Sequence, residues 1–164
     1  MTTTLPTVYP IGYAGTTNDF LETKVDRSGA MRLQTGTVAI PATTASTVLI
    51  GLMPFNKGAK VGYGSTVYSQ DLDSSTNVTL NIGYTYYDST LGTTNGSGFV
   101  VGSTIPQTGG MIPFSATSGS SVGMIFTAAA DGWITAQTTS ATTTSGNLEF
   151  NIAFAYDASG VTNP

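Results

Sequence analysis

Strict alternation of apolar and polar side chains is the feature that most constrains this chain. In residues 77–87, one side of the run carries Val78, Leu80, Ile82 and Tyr84. Residues 147–156 repeat the pattern, with one side formed by Leu148, Phe150, Ile152, Phe154 and Tyr156. Two is the side-chain period of a β-strand, so each segment is expected to bury one face and leave the other in water.

Other short apolar segments are separated by residues typical of turns. Residues 47–53, 59–69 and 77–87 are predicted to form a three-stranded meander, and residues 132–139 and 147–156 a final strand pair. Further strands are predicted at 37–41 and 122–127, while residues 99–101 form either a strand or a packed loop segment and residues 111–114 are a short apolar segment between loops. No segment has a helical period. The count of seven or eight strands predicts an all-β protein, a single β-sandwich or jelly-roll-like domain with an extended N-terminal arm.

The same pattern predicts which side chains fill the space between the sheets. These are the apolar residues on the buried side of each predicted strand. The predicted core comprises Leu52, Val61, Val67, Leu80, Ile82, Trp133, Ile134, Phe150, Ile152 and Phe154.

Residues 1–36 differ from the rest of the chain and are predicted to form the arm, with the sandwich domain spanning residues 37–164. Pro6 and Pro10 disfavour a helix at the start, and five charged residues cluster within residues 19–27. The arm nevertheless carries six apolar residues that we expect to be its interaction sites: Val8, Tyr9, Ile11, Tyr13, Phe20 and Leu21. They would bury against the body of the protein or a neighbour; a disordered tail is the alternative.

The composition excludes several classes of partner. Only 9% of the residues are charged and the net charge is −4, so the chain lacks the basic surface that nucleic-acid binding requires. It contains no apolar run of 18 residues that would span a membrane, and its start does not resemble a secretory signal. A surface with few charges has few devices against edge pairing of strands, so we expect an oligomer.

The absence of histidine and cysteine limits the chemistry of this chain. A Ser-His-Asp triad, a Cys-His pair and a metal site built from imidazole or thiolate are all excluded. Residues 119–123 match the G-x-S-x-G pattern, but neither a following helix nor a histidine base accompanies them, which favours a polar loop. We therefore expect no enzymatic activity and no cofactor.

Carboxylates are the remaining candidates for metal binding or acid–base catalysis. Residues 71–75 resemble the start of a calcium loop but lack its glycine and its final glutamate, which favours a turn. A calcium site completed by Asp88 or Asp131 stays open. A pair of acids for glycoside hydrolysis is a more remote alternative, with candidates Asp71, Asp73, Asp88, Asp131, Glu149 and Asp157.

Aromatic residues offer one further possibility, a stacking platform for sugars or bases. Tyr84, Tyr86 and Tyr87 lie close together in the sequence, and Trp133 is the single tryptophan. Tyr84 and Tyr86 share a face of the predicted strand, whereas Tyr87 points the other way. Core filling is the favoured explanation for the shared pair.

Several short signatures together resemble small virion proteins of tailed bacteriophages, of the head decoration (cement) type. They lie at residues 48–52, 54, 57–61, 71–72, 75–76, 81–84, 131–134 and 148–156, so the resemblance covers about residues 46–157. The arm departs from the pattern.

This resemblance implies a β-sandwich that forms trimers on the axes of a capsid lattice. Such a protein binds the major capsid protein on the outer surface of the phage head and stabilises the head by clamping neighbouring capsomers. Its location would be the virion, after assembly in the host cytoplasm, and the resemblance implies no catalytic residue. The arm would then lie across a neighbouring subunit or the capsid surface. A carbohydrate-binding module, or an appendage module of the tail or a fibre, is the alternative function.

Overall fold

Two antiparallel sheets account for nearly all of the regular structure. The computed structural model describes residues 32–42, 44, 48–73, 77–115, 124–138 and 143–156. Within them the strands are β1 (Arg32–Ile40), β2 (Ile50–Phe55), β3 (Ala59–Gly62), β4 (Thr66–Ser69), β5 (Leu80–Tyr86), β6 (Asn95–Ser103), β7 (Gly110–Pro113), β8 (Met124–Thr127), β9 (Gly132–Thr138) and β10 (Gly146–Tyr156). The helical content of these residues is one 3₁₀ turn at Ile105–Gln107.

Sheet A has the strand order β2-β9-β5-β6, and sheet B is built around β10. One side of β10 pairs with β1 over the full length of β1. The other side pairs with β4 and then with β3, which follow each other in line, and β7 and β8 lie beside these two in the same way. Sheet B therefore also has four rows: β1, β10, β4 with β3, and β7 with β8.

The order of these rows along the chain defines the fold. Counting β3–β4 and β7–β8 as one row each, the first row pairs with the eighth, the second with the seventh, the third with the sixth and the fourth with the fifth. A long antiparallel ribbon wound in this way into two facing sheets is a jelly roll. The predicted all-β, jelly-roll-like sandwich is thus confirmed.

The predicted three-stranded meander is wrong. Its first and third strands, β2 and β5, lie in sheet A with β9 between them, whereas the middle one lies in sheet B as β3 and β4. The predicted final pair is also divided, since β9 belongs to sheet A and β10 to sheet B. Alternation reports which side of a strand is buried, but it carries no information about which strand lies beside it.

The core between the sheets matches the prediction closely. Nine of the ten predicted residues are buried, and Phe154 is partly buried against the same core. Trp133 is among the nine, but it lies on the side of β9 that faces away from the core. Additional buried residues that the prediction omitted include Phe55, Phe99 and Phe114.

Strand β1 begins at Arg32, five residues before the predicted start of the domain at Thr37. Gly36 packs tightly in this added part, because a Cβ atom there would lie 2.4 Å from the ring of Phe150. A truncation that keeps the sheet intact therefore has to end at residue 31. The six apolar arm residues, from Val8 to Leu21, lie outside the described residues.

Ile152→Ala is expected to lower the free energy of unfolding by about 2–5 kcal/mol. Ile152 is completely buried in β10, the strand that holds sheet B together, so the lost methyl groups leave a cavity. Urea denaturation measures the change. Glu149→Ala, at an exposed position of the same strand, should change it by less than about 0.5 kcal/mol, and equal effects of the two would contradict the core position of Ile152.

Candidate interaction surface

The outer face of sheet B is the main exposed surface that the strands define. Leu148, Phe150 and Ile152 of β10 point into the core, so Glu149 and Asn151 point outward. The register then places two rows across the sheet on this side. One row is Thr37, Glu149, Tyr68 and Met111, and the other is Thr35, Asn151, Thr66 and Pro113. We call these eight residues, together with Leu33 of β1, the sheet B face.

Large apolar side chains on this face are in contact with water. Tyr68 is 46% exposed, Met111 62% and Leu33 60%. Tyr68 and Met111 are directly paired across β4 and β7, the arrangement in which side chains on neighbouring strands interact. Glu149 is the one charged residue of the sheet B face. The face is therefore poor in charge and partly apolar, which suits contact with another protein surface.

The local sequence explains why Tyr68 is outward. Val67 and Ser69 are both buried, so the alternation of β4 leaves Tyr68 on the solvent-exposed side of sheet B. Between β3 and β4 the chain turns at Gly64, whose φ is +95°. There the Ser65 hydroxyl accepts a hydrogen bond from the Ala153 N–H of β10 at 3.0 Å. This bond continues the contact with β10 in the gap between its backbone pairing with β4 and its pairing with β3.

The outer face of sheet A has the opposite character. Ile134 and Ala136 of β9 belong to the core, so Trp133 and Thr135 point outward. Trp133 lies in a row with Pro54 and Thr85, and Thr135 in a row with Gly51 and Gly83. All six residues of these two rows are buried.

The proposed aromatic platform is not assembled. Tyr86 is buried and Tyr84 packs against the core, where their rings lie 5.5 Å apart and contact Phe55, Phe99 and Phe126. The Tyr86 hydroxyl accepts a hydrogen bond from the Ala129 N–H at 3.2 Å. Burial, and secondarily the nearby Tyr86, raises the pKa of Tyr84. Trp133 lies on the other side of sheet A, so the core-filling interpretation of Tyr84 and Tyr86 is confirmed.

The carboxylates serve as local acceptors in turns. Asp73 accepts hydrogen bonds from the N–H groups of Asn77 and Val78, and Asp131 accepts one from the Lys57 N–H at 2.7 Å. The N–H and the hydroxyl of Thr90 both donate to Asp88, which lowers the pKa of that carboxyl. Among the described residues, no three acidic side chains are grouped closely enough to hold a metal ion. Asp157 and the G-x-S-x-G segment at 119–123 lie outside this part of the chain.

Asp73→Ala is expected to destabilise the protein by about 1–3 kcal/mol, because the N–H groups of Asn77 and Val78 lose their acceptor. Asp73→Asn is the matched control. It keeps a side-chain oxygen at the same place, so it should retain more than half of the stability that Asp73→Ala loses. Thermal or urea unfolding of both variants measures the effect. If the two variants are equally stable, the hydrogen bonds to this side chain do not hold the turn.

Comparison with known proteins extends the description of the fold. No protein-family model and no curated protein sequence matches the chain. Its structure is similar to a chain of the cyanophage Pam1 capsid asymmetric unit, with a TM-score of 0.61 and 20% sequence identity over 78% of this chain and 86% of that one. It is also similar to a chain of the capsid of Ralstonia phage GP4, with a TM-score of 0.55 and 17% identity over 77% and 84% of the two chains. At these identities the likeness shows that the chains share a fold.

Sequence reasoning did not single out the sheet B face. The alternation of Val67, Tyr68 and Ser69 contains the signal for Tyr68, whereas Met111 follows from the pairing of β7 with β4, which no local pattern encodes. In the described part of the chain no helix is long and apolar enough to cross a membrane.

Proposed function

We propose that this chain is a structural protein of a bacteriophage virion, of the head decoration (cement) type. It would bind the outer surface of the head as a homotrimer, contact the major capsid protein and clamp neighbouring capsomers, without enzymatic activity. The observation that carries the proposal is the shared jelly roll: the likeness to chains of two phage capsids extends over more than three quarters of this chain and more than four fifths of each of the others.

The sheet B face supplies a surface suited to this role. Covering Leu33, Tyr68 and Met111 would contribute about 1–2 kcal/mol each. One copy would then bind weakly, but copies joined in a trimer engage several sites at once, and the combined affinity rises steeply. Because the face carries one charge, its binding should depend little on salt concentration.

The test combines Tyr68→Lys with Met111→Glu. These substitutions remove both apolar side chains. The new lysine at position 68 lies between Glu149 and the new glutamate at position 111, so neighbouring charges are opposite and pairing between the strands is not disfavoured. Heads of the phage whose genome encodes this chain are incubated with the protein, and cryo-electron microscopy measures the occupancy of the added density. The variant should bind the heads at least about tenfold more weakly, as expected for a loss of about 1.4 kcal/mol or more.

Leu91→Lys is the matched control, because Leu91 is an equally exposed apolar residue outside the sheet B face. It should decorate the heads as the natural protein does. Binding by the Tyr68 and Met111 variant at full strength would exclude this face as the contact. Failure of the natural protein to bind any head, or its absence from purified virions, would overturn the proposed function itself.

The homotrimer is tested separately by sedimentation equilibrium. A trimer mass at tens of micromolar, roughly the range in which weak interfaces still form, is the expected result. A strict monomer at that concentration would contradict it.

A carbohydrate-binding role has weaker support. Of the aromatic residues that the sequence suggested for stacking, Tyr86 and Trp133 are buried, and Tyr84 is partly buried against the core. Among the described residues, Tyr63 and Tyr68 are the exposed aromatic rings, and a glycan could stack on them. Binding on a glycan array that is lost in Tyr63→Ala would favour this alternative.

A further inference from the structure

The outer face of sheet A is covered, although it faces away from the core. Trp133 is 2% exposed and Thr135 1%, while the corresponding rows of the sheet B face are open to water. An antiparallel sheet with one face on the core normally leaves its other face solvated. A layer of protein must therefore lie over Trp133 and its neighbours.

Part of this layer is the chain that leads into β6. The Thr94 hydroxyl lies 3.3 Å from that of Thr85 and accepts a long hydrogen bond from the Tyr86 N–H at 3.4 Å. A Cβ atom on Gly83 would lie 2.0 Å from the Asn95 carbonyl oxygen, which places the start of β6 directly over β5. These contacts cover the β5 side of the face. Trp133 on β9 and Pro54 on β2 lie further across the sheet, on the side away from β6.

The start of β1 lies at the end of the sandwich where Trp133 is found. Arg32 pairs with Phe154, Phe154 with Val61, and Val61 with Phe126. The Phe126 ring in turn lies 5.7 Å from the ring of Phe55, the residue next to Pro54 at the end of β2. β1 also packs beside β2, the strand that forms the edge of sheet A. The chain before Arg32 therefore enters the sandwich near the part of the Trp133 row that the chain leading into β6 does not cover.

Residues 1–31 have the length and the composition to complete the layer. Extended, they reach about 100 Å, whereas a sheet of four rows is about 15 Å wide. They include the six apolar residues Val8, Tyr9, Ile11, Tyr13, Phe20 and Leu21. We propose that this arm folds back over the outer face of sheet A of its own chain and covers Trp133 and Pro54 with these side chains. This inference does not depend on the proposed virion role, and it places the arm on its own domain, not on a neighbour.

Trp133 is the single tryptophan, so its fluorescence reports this contact directly. The test variant is the full chain with Val8, Tyr9, Ile11 and Tyr13 each replaced by serine. We expect emission at longer wavelength and several-fold stronger quenching by acrylamide, with an unchanged far-ultraviolet circular dichroism spectrum. The matched control replaces Thr2, Thr3, Thr4 and Thr7 by serine, which alters the same arm without removing large apolar side chains, and it should behave as the natural protein does.

Deletion of residues 1–31 provides a second measurement and should expose Trp133 at least as strongly. If Trp133 stays protected from acrylamide quenching in both the serine variant and the deletion, the proposal is overturned. Protection that is lost on dilution would also overturn it, because the cover would then come from another copy. If the deletion does not fold, the serine variant in the full chain decides. None of these measurements requires a phage particle, so their failure is distinct from failure of the proposed function.

Discussion

Gly83→Ala should prevent the formation of a native sheet A. The added Cβ atom would lie 2.0 Å from the carbonyl oxygen of Asn95, 2.4 Å from the carbonyl carbon of Gly96 and 2.7 Å from the nitrogen of Ser97. All three are backbone atoms, so no side-chain rotation relieves the overlap. Either β6 separates from β5 or β5 loses its place beside β9. We expect a loss of more than about 4 kcal/mol, enough to leave a marginally stable domain largely unfolded.

Gly96→Ala is the control for this prediction. Gly96 lies in the same contact, but a Cβ atom there would lie 3.9 Å from Oε1 at the flexible end of Gln137, which is ordinary van der Waals distance. Its unfolding free energy should change by less than about 1 kcal/mol. Urea denaturation followed by circular dichroism compares the two. A Gly83→Ala protein within 1 kcal/mol of the natural one would mean that the start of β6 can move off sheet A at little cost.

The alternation in the sequence predicted the buried side of most strands because it is a local property. Leu80 and Ile82 of β5, like Phe150 and Ile152 of β10, alternate with polar or small residues, and the structure buries the apolar side in both strands. Such a pattern needs no knowledge of the neighbouring strands. The all-β fold class follows from this alternation, since many short amphipathic strands without helices pack as two sheets.

Strand partners could not be predicted in the same way. The segments 47–53, 59–69 and 77–87 are consecutive, which favours a meander, but the jelly roll places the middle one in the other sheet. The choice depends on how the whole ribbon winds, and thus on contacts between residues that are far apart in sequence. For example, Val38 pairs with Leu148 across sheet B.

Trp133 and Gly83 show a second limit of prediction from sequence alternation. Trp133 and Ile134 are adjacent and both apolar, so period two cannot assign one of them to the core, and the structure gives the core to Ile134. Gly83 occupies the polar side of β5 in the sequence pattern. Its reason to be glycine is the chain at 95–97, which lies over the outer face of sheet A. Neither assignment can be made without the layer outside that sheet.

Phe99→Ala is expected to lower the free energy of unfolding by about 3–5 kcal/mol. Phe99 is buried at the centre of an aromatic cluster: its ring is stacked on that of Phe114 at 5.1 Å and meets the edge of Phe126 at 5.5 Å. The Phe99 carbonyl oxygen also accepts a hydrogen bond from the Ser115 N–H at 3.1 Å. The side chain therefore links β6 of sheet A to β8 and to the end of β7 in sheet B. Its removal leaves a cavity between the two sheets.

Val101→Ala, two residues along the same strand, is the control, because Val101 is exposed and its truncation should cost less than about 0.5 kcal/mol. A double-mutant cycle of Phe99→Ala with Phe114→Ala then isolates the stacked pair. A coupling of about 0.5–1.5 kcal/mol is expected if the two rings stabilise each other beyond the area that they bury. Additive losses would instead mean that each ring acts only by filling space. A loss below about 1 kcal/mol for Phe99→Ala alone would show that the neighbouring rings of Tyr84 and Phe126 close the cavity.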